Sequence, residues 1–550
     1  MEAVHNDEQR ERSLDRHAQE LANNMWNCHK GTVWPKRATK LARKDKWHLP
    51  GHVKDVPTSN WRLMARDFPK VAQVCRWLWD PSMYPAVEPP ERMDKSYCPW
   101  KDIELLQERR VIKKIDRRKV RATGSLFTVL EEEKNRRRII FWPKLLNELI
   151  QEDFECTYDL GTPVGHLNDI NQGKWASKFD LDCAFYQQEL AEEIQAFFCF
   201  EDERGDIWCF TRLPMGFVPA TEVQQAITEA LVPKTETCSR VYIDGGRFVG
   251  QENATAFAVE QVAAACKKYS MAVTIEQPKQ EGEWLGHWYD YQSGKTSLTK
   301  KALRKLEELE ASIDQWTVSD ALRAQSYLVY YSEPLGFKLH QVYYALKFMR
   351  LRARQLQKGR TTLEHAAQVW NSAKPTFERW FRELAKNVPA PRIYDPNCKG
   401  DLHLFIDAAT SWGAVLIDGS EISYTGAEYG PQWMAKHISN RESRAVAEGV
   451  TYFAETIRQR RLQIWVDNTS SRSVSRKMYS KSFELNTRAA EIDDAIQFAQ
   501  PLSYSVNYVN TKANCSDIPS RAPETGQFTD SDTAKKLVQL ASQSTLPVLG

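Results

Sequence analysis

The pattern of apolar and polar positions changes character several times along the chain. Up to about residue 100 it holds no sustained period, and Trp, Pro and basic residues dominate (WPKRATKLARKDKWHLPGH, YPAVEPPERMDKSYCPW), which predicts an irregular extension. The run IELLQERRVIKKI predicts a short helix with Ile103, Leu105 and Val111 on its apolar side and Leu106, Arg110 and Lys113 near one another. SLFTVLEEEKNRRRIIFW reads as two strands about a polar turn, WASKFDLDCAFYQQEL as a strand entering a turn or helix, and QAFFCFE with DIWCFTRL as a second hairpin. VPATEVQQAITEAL (helix), RVYIDGGRFVG (short strand) and NATAFAVEQVAAACKKYSM (helix) follow, so this part is expected to be an α+β sheet with helices on one face.

Helical patterns dominate 300–385, where Leu303, Leu306, Leu309 and Ile313 form a core stripe. The Pro-rich VPAPRIYDPNCKG marks a linker. After it LHLFIDAATSWGAVLIDG and ISYTGAEYG read as successive strands, RESRAVAEGVTYFAETIRQ as a helix and LQIWVDN as a strand. From about Ala522 a polar tail is expected to be mobile. The expected segments are 1–100 (N-terminal extension), 101–299, 300–390 (helical), 391–400 (linker), 401–521 and 522–550 (tail).

Composition narrows the class. At 550 residues the chain is expected to be modular, and 42% hydrophobic with 27% charged residues excludes wholesale disorder and collagen-like or membrane classes. No run reaches the ~18 apolar residues of a membrane span, and the N-terminus carries no apolar signal core, so no membrane association is expected. Eleven Cys without a CxxC point to a reducing compartment, hence a nuclear or cytoplasmic location. The net charge of +3 conceals a concentration: residues 109–144 hold 13 Lys/Arg against 4 Asp/Glu, or +9, leaving −6 for the rest.

Two acids sit at predicted strand ends, Asp180 in KFDLDCAFYQ and Asp244 in VYIDGG. On adjacent strands they would jointly offer hard oxygen ligands to two Mg ions and leave room for phosphate oxygens. FDLDCAFYQ, LPMGFVPATEVQQA and YIDG resemble the palm motifs of reverse transcriptases in order and spacing. RRIIFWPKLLN resembles the fingers segment, EWLGHWYD the primer-grip hairpin and LRAQSYLVYYSEPLG the thumb-region helix; together these cover roughly residues 100–345. The resemblance implies a right-hand fold of fingers, palm and thumb and RNA-directed DNA polymerase activity. It makes Asp180 and Asp244 catalytic metal ligands, places Arg138 on the incoming dNTP with Lys144 on a second basic position, and has Pro214, Gly216 and Gln224 shape the nucleotide and template pocket. The family motif ends in two adjacent Asp, and here the second position is Gly245. That departure weakens the expected polymerase site; Asp182, on the same face of the strand as Asp180, is a candidate substitute or a plain solvated charge.

A second acidic set falls in the C-terminal segment: Asp407 in LFIDAAT, Glu442 in HISNRESRAVAEG, Asp467 in IWVDNTS and Asp517 in NCSDIPSR. These motifs resemble the ribonuclease H domains fused to retroelement reverse transcriptases, with YVNTKANCSDIPSR most like the DIRS (tyrosine-recombinase) and Pao types. The resemblance implies a ribonuclease H-like α/β domain whose four acids are catalytic ligands of Mg2+ (or Mn2+), with Asn468 and Asn514 able to hold backbone or substrate. Many ribonucleases H carry a His shortly before the last Asp; none follows His437 here.

The basic 109–144 segment fits salt-dependent contacts to a polyanion, with Phe127, Phe141 and Trp142 placed to stack on bases or to lie in the core. Expected partners are RNA, DNA, an RNA/DNA hybrid and dNTP. Cys28, His29, His48 and His52 match no common zinc spacing. The rival reading is a domesticated scaffold, inactive as a polymerase, that binds RNA or protein partners.

Overall fold

The structure, a computed structural model, describes residues 49–131, 134–151, 154–155 and 157–543. It divides into two compact units, one reaching to Leu160 and including Trp175–Lys279, the other formed by Gly161–Lys174 with the chain from Gln280 onward. The predicted α+β class holds in both.

The strands of the first unit are β1 (Ile112–Lys114), β2 (Ser125–Glu131), β3 (Arg136–Trp142), β4 (Trp175–Leu181), β5 (Cys199–Glu201), β6 (Ile207–Phe210), β7 (Cys238–Tyr242), β8 (Gly245–Gly250) and β9 (Val273–Lys279). Its principal sheet runs β7-β8-β4-β9, with β2-β3 and β1-β6-β5 beside it. Helices Ala220–Leu231 and Glu252–Lys268 bury Val223, Ile227, Val259 and Val262 in one core with Phe179 and Phe248. In β3 the pleat turns Arg137, Ile139 and Phe141 inward, so Arg137 is a buried cation in an otherwise apolar row. Asp102 neutralises it with two hydrogen bonds, at 2.5 and 2.9 Å.

Several expectations change here. Residues 49–100 are not an irregular extension: helices Trp61–Asp67 and Pro69–Val74 place Trp61, Met64 and Val71 in the same core. Each spans less than two turns, too few for a 3.6-residue period to show. The helix expected to carry Arg110 and Lys113 runs Trp100–Glu108; Arg110 follows it in left-handed backbone and Lys113 lies in β1. RVYIDGGRFVG is a hairpin rather than one strand. Cys28, His29 and His48 lie outside the described residues, and the His52 ring sits 2.7 Å from an Arg136 guanidinium nitrogen.

In the second unit β10 (Glu281–Trp284), β11 (His287–Asp290), β12 (Lys295–Leu298) and β13 (Ala390–Pro391) form an antiparallel sheet. Helices Lys300–Ala311, Val318–Ser332, Tyr343–Gln357 and Lys374–Ala385 follow the hairpins, with Leu306, Leu309 and Ile313 of the predicted stripe buried. A six-stranded sheet of β14 (Leu402–Ala408), β15 (Ser411–Asp418), β16 (Glu421–Glu428), β17 (Arg461–Val466), β18 (Ser503–Tyr508) and β19 (Gly526–Thr529) is ordered β18-β17-β14-β15-β16-β19. The first three strands form an antiparallel meander, and β17 and β18 lie parallel beyond β14. This is a ribonuclease H-like arrangement. The segment from Ala522 is not a loose tail: β19 pairs with β16, and helix Ser531–Gln543 buries Ala534 and Ala541 near Phe405 and Trp465. Residues 544–550 lie outside the described residues. No described helix is long and apolar enough to cross a membrane.

Candidate active site

The C-terminal sheet positions acids through its register. Ile406 of β14 pairs with Val466 of the parallel β17, so the next residues, Asp407 and Asp467, emerge side by side. Glu442 comes from helix Ile438–Tyr452, whose Ala445, Val446 and Val450 pack on Leu404 and Ile406. Gly449 permits that close approach, since a Cβ there would lie 3.1 Å from the Ala414 Cβ and 3.2 Å from the Ile406 Cδ1. Asp407, Glu442 and Asp467 thereby offer carboxylate oxygens all within 4.8 Å of one another.

These are acids under mutual strain. Glu442 is 5% exposed, and burial, then Asp407 and Asp467, push its carboxyl up to about 9. Burial likewise raises Asp407 and Asp467, against hydrogen bonds from Ser520 to the first and from Thr511 and Asn514 to the second. Among the described residues Oε2 of Glu442 is buried without a hydrogen-bond partner. Three carboxylates that form no salt bridge among the described residues, with one orphaned oxygen, fit a hard divalent cation, which would supply the missing positive charge.

Asp517 stands apart from the three. It opens helix Asp517–Arg521, close enough to raise Asp407, but its carboxylate pairs with Arg521 at 2.7 Å. That helix lies flat on the sheet because Gly413 and Gly426 leave room; a Cβ on either would collide with backbone of Pro519–Ser520. Of the two expected Asn, Asn514 donates to the Ile406 carbonyl at 3.1 Å, whereas Asn468 caps helix Thr469–Lys477 by accepting from the Ser471 N–H. Ser520 and Thr511, which hold Asp407 and Asp467, carry no spacing signal in the sequence.

In the first unit Asp180 of β4 pairs with Gly245 of β8, and Asp244 sits in the two-residue turn between β7 and β8. Ile243 in that turn is β-branched yet left-handed (φ 56°), a conformation costing about 1–3 kcal/mol. The buried Gln225 side chain holds it by accepting the Ile243 N–H at 2.6 Å. Burial and then Asp244 push Asp180 up to about 6. Burial also raises Asp244, opposed by the charges of Arg138 and Lys134. Asp182, partly exposed, is engaged: Lys54 binds it at 2.8 Å and the Thr274 hydroxyl donates to it at 3.1 Å.

The other expected positions divide. Arg138 reaches Asp244 electrostatically while pairing with Glu131 at 2.7 Å. Lys144 lies over Trp142, 4.0 Å from Glu148. Pro214 is buried in the loop that Gly216 presses against β3; with φ +113° and the Phe141 carbonyl where a Cβ would stand, only glycine fits. Asn147 clamps that loop, donating to the Gly216 carbonyl at 2.8 Å and accepting from the Val218 N–H at 3.0 Å. Gln224 is fully buried and donates to the Thr228 hydroxyl, so it props the core beneath the site. Phe141 is a core residue, 1% exposed.

No family model and no curated protein matches the chain. Solved structures that resemble it include the foamy viral protease-reverse transcriptase dRH in complex with double-stranded DNA, at TM-score 0.48 and 13% identity over 84% of each chain. The foamy viral protease-reverse transcriptase is also similar, in complex with an RNA/DNA hybrid (TM-score 0.46, 13% identity, 78% of this chain and 56% of that one) and with double-stranded DNA (TM-score 0.46, 13% identity, 84% and 99%).

Proposed function

We propose that the chain is a retroelement-type reverse transcriptase and ribonuclease H, of DIRS flavour by its motifs, and that its principal activity is metal-dependent hydrolysis of the RNA strand of an RNA/DNA hybrid. The observation that carries the reading is the Asp407–Glu442–Asp467 cluster, with ligand atoms within 4.8 Å of one another and, among the described residues, no salt bridge to any of the three. The chemistry supplied by bound Mg2+ or Mn2+ is polarisation of the scissile phosphate and of water at neutral pH. Asp407 and Asp467 present their oxygens from rigid parallel strands, so ligand spacing is fixed before substrate arrives. Glu442, deprotonated when the cation binds, completes the cradle, while Ser520 and Asn514 hold the two aspartates in orientation. Asp517, bound to Arg521, must exchange that partner to join them.

Asp180 and Asp244 support nucleotidyl transfer at the first site, with Arg138 beside the position of the dNTP phosphates; Gly245 makes this the weaker activity. The scaffold reading gains from Gly245 and from the engagement of Asp182 by Lys54. Incubation of the purified chain with a labelled RNA/DNA hybrid and Mg2+ tests the proposal. Cleavage that disappears in Asp467→Asn supports it, and no cleavage by the wild type overturns it. Primer extension on the same preparation, against an Asp180→Asn control, tests the first site.

A further inference from the structure

The hairpin of β5 and β6 carries two cysteines that neither acidic site uses. Its register sets Cys199 opposite Cys209, Phe200 opposite Trp208 and Glu201 opposite Ile207. The turn is pinned by Asp202, whose carboxylate accepts from the Arg204 and Asp206 N–H groups at 2.8 and 2.9 Å and from the Trp208 indole at 2.7 Å. Both thiols are free and fully buried, packed with Val120 and against Met93, Ile115 and Ile207.

An antiparallel ladder alternates two kinds of site, and the backbone hydrogen bonds tell which one the cysteines occupy. Phe210 N–H donates to the Phe198 carbonyl and Asp202 N–H to the Asp206 carbonyl, each at 3.0 Å, so 198/210 and 202/206 are hydrogen-bonded pairs and, by alternation, 199/209 is a non-hydrogen-bonded one. The Cys199 carbonyl agrees: it turns away from β6 and accepts from the Gly124 N–H at 2.9 Å. In such a pair the Cα atoms stand about 4.5 Å apart with both side chains on one face, within the range a cystine spans without backbone movement. Lys113 of β1 lies opposite Cys209 on its other side. Burial raises the Cys209 thiol to about 11, against the pull of the Lys113 ammonium and N–H, while burial and then Cys209 carry the Cys199 thiol higher still. Cys209 is thus the readier nucleophile of the two.

We infer that Cys199 and Cys209 are a redox-sensitive dithiol, which a small disulfide oxidant such as glutathione disulfide converts into a cystine stapling β5 to β6. The Cys209 thiolate attacks one sulfur of the oxidant, forming a mixed disulfide and releasing one glutathione. Cys199 then gives up its proton and attacks the Cys209 sulfur, so the cross-strand S–S bond forms as the second glutathione leaves. In all, two electrons and two protons pass from the pair to the oxidant. Access comes through local opening: β5 is three residues long and ends its sheet, held beyond only by single bridges to Lys95 and Thr123. While the surroundings stay reducing, the two thiols serve as small apolar groups of the core.

The test equilibrates the full chain with glutathione disulfide, quenches it with N-ethylmaleimide in denaturant and digests it with trypsin. Cleavage after Lys178, Arg204 and Arg212 puts the two cysteines on peptides 179–204 and 205–212. The cystine then appears as these peptides linked, lighter than their sum by two hydrogens and separated again by dithiothreitol. Peptide 179–204 also carries Cys183, so Cys183→Ser should keep the link and Cys199→Ala should abolish it. The oxidised wild type should melt about 5 °C above the reduced one, because the link closes a short loop in the unfolded chain, and Cys199→Ala treated alike should not shift. Recovery of both cysteines as maleimide or glutathione adducts, a link that Cys183→Ser removes, or disulfide dimers joined through Cys199 or Cys209 overturns the pairing. An oxidised chain that melts below the reduced one overturns the unstrained geometry on which the pairing rests.

Discussion

Replacing Glu442 by Gln should stabilise the metal-free protein and abolish its stabilisation by Mg2+. Burial, Asp407 and Asp467 lift the Glu442 carboxyl from 4.5 to about 9 in the folded chain. The stability contributed by this group is therefore fully present below 4.5 and is lost as pH rises towards about 9, because across that window the folded chain holds a proton that the unfolded chain releases. At about pH 7.5 the difference of about three pH units from the unfolded value corresponds to a ceiling of about 4 kcal/mol. Relaxation of the side chains and entry of water bring the expected gain in Glu442→Gln to about 2 kcal/mol. For a body of this size that is a rise of about 4–8 °C in Tm in EDTA. Mg2+ at a hundred times its Kd should add about 2.7 kcal/mol to the wild type and little to the variant, which has lost a ligand. Calorimetry at about pH 5, 7.5 and 9, with and without Mg2+, reads both effects, and the gap between the two proteins in EDTA should narrow towards acid pH. A variant that melts below the wild type in EDTA, or gains as much from Mg2+, refutes the reasoning.

Three further outcomes are expected. Metal binding must expel the Glu442 proton, so the Mg2+ affinity measured by calorimetric titration should rise by up to about tenfold per pH unit; a flat profile between about pH 6 and 8.5 would contradict this. Gly245→Asp should increase single-nucleotide primer extension with Mg2+ or Mn2+, because its Cβ would stand 3.3 Å from Asp180 Oδ1; Gly245→Ala, equally close to the Phe179 carbonyl at 3.1 Å, isolates the steric cost and should not increase it. Asp102→Ala leaves the Arg137 guanidinium, 3% exposed, without its partner and should cost about 3–5 kcal/mol in urea unfolding, whereas a loss under 1 kcal/mol would show that Arg137 finds water.

Legibility in the sequence followed the length of each signal. Strands β14 and β17 announce themselves by apolar runs, and Asp407, one residue before the end of β14, and Asp467, one residue past the end of β17, are legible as strand-end acids. The short helices between Trp61 and Val74 were not, since neither offers two turns of periodicity. The helix Ser531–Gln543 stands where a mobile tail is expected, despite a usable signal: Ala534, Leu537, Val538 and Ala541 fall at i, i+3, i+4 and i+7, but small residues at two of the four positions weaken the apolar stripe. Interactions between distant segments left no trace at all. Lys54 on Asp182 and Ser520 on Asp407 each join residues more than a hundred positions apart, and no spacing rule encodes such partners.

The two acidic sites differ most in what balances their charge. Around Asp180 and Asp244 the chain supplies its own cations: Lys134 and Arg138 pull on Asp244, Lys134 and Lys54 on Asp180, and Lys54 also binds Asp182. Around Asp407, Glu442 and Asp467 it supplies mainly hydroxyls and an amide, which orient carboxylates without neutralising them; Arg521 acts on Asp407 and Arg441 on Glu442, each less than burial and the neighbouring acids do. Opposed like charges in a buried site favour either protonation or a cation from solution. The second site, with three acids and an orphaned Glu442 oxygen, is thus the one whose chemistry depends on metal most sharply. The first, with Gly245 in place of a third carboxylate and lysines at hand, is balanced for an incoming polyphosphate even where its hold on metal is weak. On the proposed function, one polypeptide could therefore lose catalytic rate at its first site, keep nucleic acid there, and retain hydrolysis at its second.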